Sequence, residues 1–282
     1  MLNAERKKGL QVFAEQIRLE TLKVIKSRGF GHVGGSMSLV DVMAVLYGEC
    51  MNIDPKNPKF EDRDRIVMSK GHAGPVMYAT LGLKGYYPIE EAYTLNQPHT
   101  KFPSHTDRLM TPGVDITTGS LGQGVSAAVG VALANKVVDG RKNKVFLFVG
   151  DGEADEGQVW EGLQFASQYK LDNLIVFIDC NGLQLDGTVE EIMSHGDMAT
   201  KVQAYGYSVQ SVNGHDVEAI YDAVEGAKIT KGQPSCIILN TIKGKGATFA
   251  EPTGAHTSQP TAEQWEEAIA VAEKRYNDAK NA

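Results

Sequence analysis

Two runs of small polar residues, Gly150-Asp151-Gly152 and Asp179-Cys180-Asn181, follow the apolar, β-branched stretches Val145–Val149 and Leu174–Ile178. Asp151 offers a hard carboxylate oxygen and Asn181 a neutral amide oxygen, a pairing that suits Mg²⁺ or Ca²⁺ and suits zinc poorly. Two protein side chains leave an octahedral Mg²⁺ short of ligands, and such ions are usually completed by substrate phosphates and water. Gly150 and Gly152 remove side chains from both flanks of Asp151, so a large anion can approach the backbone. Alone, Gly-Asp-Gly serves equally as a strand end followed by a helix cap, with Asp151 near a helix N-terminus. Asn181 after the next strand favours a metal–diphosphate site.

Seven histidines invite a zinc reading, but zinc ligands usually come in closely spaced pairs such as HxxxH or CxxC, which are missing here. Instead His32, His72, His105 and His256 each sit in a Gly-, Ser- or Pro-containing loop after an expected element. Imidazoles that converge near a reacting centre shuttle protons and hydrogen-bond sugar hydroxyls, since unperturbed His titrates near pH ~6.5. A lone histidine is usually a structural hydrogen-bonder, and that reading stands for His99, His195 and His215. Lys70 and Lys243 lie in Gly-flanked loops at expected sheet ends, which favours neutralising a diphosphate over a solvated surface role. Gly122-Gln123-Gly124-Val125-Ser126-Ala127 matches the GxGxxA dinucleotide fingerprint. That motif has meaning only after a strand and with an acidic residue about 20 positions on ending a second strand. Here Thr117-Thr118-Gly119-Ser120 precedes it and Asp139-Gly140-Arg141 is a loop, so a Gly-rich turn lying against a flat ring is the better reading.

The elements that must position these residues are legible. Between Val149 and Leu174, Val159, Leu163 and Ala166 fall on one helical face and Glu161, Gln164 and Gln168 on the other. Strand, helix, strand of this length is a right-handed crossover between parallel strands. It brings Asp151 and Asn181 to the carboxyl end of one sheet, where α/β proteins bind ligands. Upstream, Leu10, Phe13, Ile17, Val24 and Ile25 predict a helix stopping near Arg28-Gly29. Ser38-Leu39-Val40-Asp41 reads as a capping box opening a second helix through Val42, Val45 and Leu46. Asp64–Ser69 looks like a strand delivering Lys70-Gly71-His72, and 88–110 a long functional loop. Val125–Val138 should be a helix buried on most faces. Further on, Lys201–Tyr205 suggests a helix, Tyr207–Val212 a strand, Val217–Ile229 a helix, Ser235–Thr241 a strand and Thr261–Tyr276 a final helix. This alternation predicts one α/β domain with a mostly parallel central sheet and helices on both faces.

Composition bounds the partners. With 282 residues, 42% of them hydrophobic, the chain has ample core. A net charge of −7 and a pI near 5.5, without Lys/Arg blocks, argue against a nucleic-acid surface. No apolar run approaches the roughly 18 residues of a membrane span, and the first residues lack the apolar core of a signal peptide. Cys50, Cys180 and Cys236 are odd in number and far apart, which fits a reducing compartment and makes the cytoplasm the expected location.

Against this background the sequence resembles the thiamine-diphosphate enzymes, whose shared motif is Gly-Asp-Gly followed one crossover later by Asn. The resemblance spans nearly the whole chain and is most specific to transketolase. It is carried also by Gly31-His32-Val33-Gly34-Gly35, by Asp64-Arg65 through Ser69-Lys70-Gly71-His72-Ala73, by Thr117 through Gly124, and by Lys243-Gly244-Lys245-Gly246 with His256. It implies a single diphosphate-binding domain over residues 1–282, with Mg²⁺ (Ca²⁺ or Mn²⁺ substituting) held by Asp151, Asn181 and the Leu183 carbonyl. Gly119-Ser120-Leu121 would contact the aminopyrimidine end of thiamine diphosphate. Gly150, Gly152, Lys70 and Lys243 would lie against its diphosphate, approached also by His72 and His256, while His32 and His105 face the sugar. Glu156 would lie between the two active sites of a dimer.

In that family a glutamate on a second, pyrimidine-binding domain starts cofactor deprotonation, and the domain follows the present one. The resemblance therefore implies the N-terminal subunit of a split transketolase, completed by a separate C-terminal subunit in an α₂β₂ assembly and acting on a phosphorylated or modified sugar. Rivals in the same chemistry are the α subunit of a 2-oxo acid dehydrogenase and a deoxyxylulose-phosphate synthase piece; the four histidines and Ser69-Lys70-Gly71-His72 favour transketolase. A non-catalytic nucleotide-binding α/β protein would instead bind no thiamine diphosphate and tolerate Asp151→Ala.

Overall fold

The computed structural model describes residues 2–282. Within them ten α-helices, α1 (Ala4–Lys26), α2 (Val33–Met37), α3 (Val40–Val45), α4 (Gly74–Leu83), α5 (Gln123–Leu133), α6 (Gly157–Gln168), α7 (Val189–Met193), α8 (Met198–Ala204), α9 (Val217–Ile229) and α10 (Ala262–Asn281), surround five strands. The strands are β1 (Arg65–Met68), β2 (Val145–Gly150), β3 (Leu174–Cys180), β4 (Ser208–Asn213) and β5 (Ser235–Asn240). All pairings are parallel, in the order β1-β2-β3-β5-β4.

Successive strand residues point to opposite faces, and the two cores follow that alternation. Phe146, Phe148, Ile175, Phe177, Ile237 and Leu239 pack with α1, α3, α4, α9 and α10. Val145, Leu147, Val149, Leu174, Val176, Ile178 and Ile238 pack with α5, α6 and α8. Both faces of β2 are therefore buried, which is why its sequence is continuously apolar rather than alternating. The register sets Gly150 beside Asp179 and Cys180 beside Asn240. As a result the ends of neighbouring strands lie level.

Several local expectations change. Ser38 closes α2 instead of opening α3: α3 starts after Leu39 without a side-chain cap, because the Ser38 hydroxyl donates across the core to Asp179 at 2.7 Å. Leu46 belongs to a π-turn, Leu46–Cys50, rather than to α3. Asp64 stays outside β1, its carboxylate accepting the Asn52 and Lys144 backbone N–H groups. The 88–110 loop contains a 3₁₀ stretch, Ile89–Thr94. The helix expected to run to Val138 ends at Leu133 and loosens into a π-turn, where Val137 and Val138 are exposed. By contrast, α1 stops where Gly29 takes φ +85°, and Val217–Ile229 is helical over the expected span.

Candidate cofactor site at the carboxyl end of the sheet

Four adjacent strands each deliver a polar residue to one rim: Lys70 after β1, Asp151 after β2, Asn181 after β3 and Lys243 after β5. They line a cavity of about 200 Å³ together with Leu183, His72 and His256. Asp151 does cap a 3₁₀ turn, Gly152–Asp155, with Oδ1 accepting from Gly152 N–H at 2.9 Å, while Oδ2 accepts from Gly182 N–H at 2.6 Å. The cap and the ligand readings coexist on one carboxylate. Burial and then the neighbouring Asp179 push its pKa up to about 6. Asn181 Oδ1 accepts from Leu183 N–H at 3.2 Å, which folds the 181–183 turn back so that the Leu183 carbonyl shares the cavity.

A hard cation fits this donor set, which comprises one carboxylate, one amide oxygen and one carbonyl and leaves positions for phosphate oxygens. Two buried ammonium groups stand beside it. Lys70 pairs with Asp179 at 2.5 Å. Lys243 donates to the Leu183 and Gln184 carbonyls at 2.9 and 3.2 Å, and a carbonyl retains a second lone pair. Burial and then Lys70 lower the Lys243 pKa to about 8. An added Cβ on Gly150 would meet no protein atom closer than 3.8 Å, whereas on Gly152 it would meet Gln184 Cγ at 2.9 Å. A methyl at Gly150 would thus make only ordinary van der Waals contact, whereas the missing side chain at Gly152 admits the 181–184 turn.

The histidines spread from position 32 to 256 form one cluster. His32 lies 5.4, 5.6 and 5.3 Å, ring centre to ring centre, from His72, His105 and His256, and His72 lies 4.7 Å from His256. Burial is the main cause depressing all four pKa values, reinforced by Lys70 at His72, by Lys243 at His256 and by His105 at His32; His256 falls to about 4. Gly34 and Gly35 make the approach possible. A Cβ on Gly34 would lie 2.4 Å from the Ala255 carbonyl oxygen, and one on Gly35 2.9 Å from His72 Nε2. Gly31 pairs with Ser258 as an antiparallel bridge and draws the His256 loop over His32.

Among the described residues no strand leads directly into Gly122-Gln123-Gly124, so the dinucleotide fingerprint lacks its context. The turn instead anchors through Thr118, whose hydroxyl donates to the Met68 carbonyl at 2.6 Å. Leu121 lines the cavity; Gly119 and Ser120 lie outside its lining, and a Cβ added at Gly119 would fall 3.7 Å from the His105 ring. Glu156 is exposed at the N-cap of α6, its Cβ beside Gly122. His195 is a structural hydrogen-bonder, 3.0 Å from the Asp151 carbonyl, and His215 bridges Asp41 and the Ile242 N–H.

Sequence reasoning missed Asp179. It is wholly buried, and one carboxylate serves Lys70, Ser38, Asn181 and Thr241. Burial works to raise its pKa, and Lys70 first, then Thr241 and Ser38, hold it below the usual carboxylate range. The available signal was an acidic residue at the end of an otherwise apolar strand, two positions before Asn181.

Parallel strand ends that gather an oxygen donor set, two ammonium groups and neutral imidazoles place the chain among α/β proteins holding a phosphorylated cofactor. Comparison with known proteins narrows this. Residues 10–277 match the family described as transketolase, thiamine diphosphate binding domain. The chain is 51% identical to the 6-deoxy-6-sulfo-D-fructose transketolase subunit of Clostridium sp. (strain MSTE9), covering 96% of this chain and 98% of that one. It is 38% identical to an apulose-4-phosphate transketolase subunit of Phocaeicola vulgatus, covering 94% of each. The solved transketolase of Leishmania mexicana superposes with a TM-score of 0.86 at 29% identity, covering 96% of this chain and 45% of that one. The chain belongs to the transketolase family. It spans less than half of that solved transketolase and nearly all of the two curated subunits.

Proposed function

We propose that this chain is the N-terminal, diphosphate-binding subunit of a split transketolase moving a two-carbon ketol unit from a ketose donor to an aldose acceptor. The observation that carries the proposal is the cluster of four neutral imidazoles beside the Asp151–Asn181 cradle. Thiamine diphosphate, when bound, supplies the nucleophilic carbon and the electron sink. Asp151, Asn181 and the Leu183 carbonyl hold Mg²⁺, and Lys70 and Lys243 neutralise the diphosphate. The Gly119–Leu121 turn takes the aminopyrimidine end. His72 and His256 reach the diphosphate side, while His32 and His105 take protons from, and return them to, sugar hydroxyls. A neutral imidazole has a free ring nitrogen that accepts a proton, and the imidazolium so formed gives it back.

A separate C-terminal subunit with the pyrimidine-binding domain completes the site, in an α₂β₂ assembly that pairs Glu156 across copies. Both curated relatives are named for sugars with an anionic tail, and the donor proposed here is of that class, a ketose sulfonate before a ketose phosphate. Three free cysteines fit a cytoplasmic location. The test is reconstitution with the partner subunit, followed by calorimetry with thiamine diphosphate and Mg²⁺ and by ketol-transfer assays on both donors. Asp151→Ala should abolish Mg²⁺-dependent cofactor binding while the far-ultraviolet circular dichroism is unchanged. Unaltered cofactor affinity in that variant, or a reconstituted pair that binds cofactor and transfers no ketol unit, overturns the reading.

A further inference from the structure

Glu153 lies in the turn after β2 and is 3% exposed. Neither the metal nor the diphosphate role described above uses it. Its carboxylate is a junction between three segments. Oε1 accepts from the Ser69 hydroxyl at 2.5 Å and from the Gly122 N–H at 2.8 Å, and Oε2 accepts from the Gly150 N–H at 3.1 Å. Burial raises its pKa while these three donors and Lys70 oppose the rise.

Each donor adjoins a different part of the cradle. Ser69 precedes Lys70, Gly122 closes the Gly119–Leu121 turn, and Gly150 precedes Asp151. Little slack exists around the junction. Gly122 is left-handed at φ +82°, a Cβ on Gly124 would fall 2.6 Å from Ser69 Oγ, and a Cβ on Gly71 would fall 2.8 Å from the Thr118 carbonyl carbon. A charged acceptor is shared by segments 31 and 84 residues away in sequence, so it helps set the distance between loops that are otherwise bonded to each other through Thr118 and the Met68 carbonyl. Charge-assisted bonds of this kind are short and directional.

We propose that Glu153 is a positioning residue for the cofactor. Its carboxylate holds the diphosphate side (Lys70 and Asp151) and the ring side (Gly119–Leu121) at one fixed separation, so both ends of a two-ended cofactor are met at once. This rests on the thiamine diphosphate part of the proposed function and is independent of which sugar is used. Residues that hold a metal site's ligands in place typically change affinity about 10–100-fold when altered.

The test uses the assembled enzyme. Glu153→Gln keeps an acceptor for Ser69 and Gly122 but turns an NH₂ toward the Gly150 N–H. Its thiamine diphosphate affinity at saturating Mg²⁺, read by calorimetry, should weaken by about 10–100-fold. The melting temperature of the cofactor-free protein should shift by a few degrees at most, and kcat at saturating cofactor should fall by less than the affinity. Ser69→Ala should weaken binding less, and the double variant should lose less than the sum, because both act on one junction. Unchanged affinity in a folded Glu153→Gln protein, strict additivity with Ser69→Ala, or an affinity loss matched by loss of cofactor-free stability each overturns the proposal. If Glu153→Gln does not fold, Ser69→Ala alone decides, and unaltered affinity there overturns it. Normal cofactor binding without ketol transfer in the parent enzyme would count against the proposed function and leave this inference standing.

Discussion

Asp179 and Lys70 form a buried ion pair, and its energetics are lopsided. Removing one partner leaves an uncompensated charge inside the protein, at a cost of about 3–5 kcal/mol. Asp179→Ala is therefore expected to lower the unfolding free energy by about that amount in urea titrations, since Lys70 is only 2% exposed. A loss below about 1 kcal/mol, the range of surface pairs, would contradict the assignment. The histidines make a different prediction. His256 has a folded pKa of about 4 against an ordinary value of 6.5. As pH falls below 6.5 the unfolded chain binds the proton first, so stability falls with acidity and keeps falling until about 4. His256→Gln should flatten the decline of cofactor-free melting temperature across that window. An identical pH slope in parent and variant would show that His256 is not held neutral by the fold.

At the scale of elements, the site exists because four parallel strands end level and the loops beyond them approach closely. Helix α5 displays the constraint in two glycines of one helix. At Gly124 a Cβ would meet the Ser69 Cα at 2.7 Å, while at Gly130 nothing lies within 4 Å. Glycine to alanine in an open helix interior favours folding by roughly 0.5–1 kcal/mol. Overpacking costs about 1–3 kcal/mol. Gly130→Ala should therefore stabilise the protein and Gly124→Ala destabilise it, both read from denaturant midpoints. Gly124→Ala should also weaken thiamine diphosphate binding, because α5 can relieve the clash only by pushing Ser69 and Lys70 out of place. The same sign for both variants would remove the packing argument.

At the scale of the whole molecule, a cavity of about 200 Å³ holds less than the 300–1,000 Å³ usual for a ligand site. The α5–α6 side also leaves large apolar groups uncovered, with Leu121, Phe165 and Tyr169 exposed and the last two stacked at 4.3 Å. Leu121 lies just before α5, and Phe165 and Tyr169 lie on α6 and at its end, which makes this side the expected partner surface. The purified chain alone should show no ketol transfer at any concentration of Mg²⁺ and thiamine diphosphate, and activity should appear on adding the C-terminal subunit. Turnover by a preparation shown by mass spectrometry to lack a second polypeptide would refute the split assembly.

Sequence by itself determined which end of which element each reactive residue occupies. Apolar periodicity marks strands and helices, and the parallel pairing that a helical crossover implies then places Asp151 and Asn181 on one rim, all within 44 residues of chain between Lys144 and Gly187. The convergence of His32, His72, His105 and His256 had no local signature, and only the family resemblance pointed to it. Tertiary structure alone decided the wiring beneath the rim: Ser38 donating to Asp179 instead of capping α3, Glu153 joining Ser69 to Gly122, and Lys243 reaching the Leu183 carbonyl. The physical reason is range. Propensity and periodicity act over a few residues, whereas a buried carboxylate must find its donors wherever sheet register and loop approach bring them, here as far as 141 positions away.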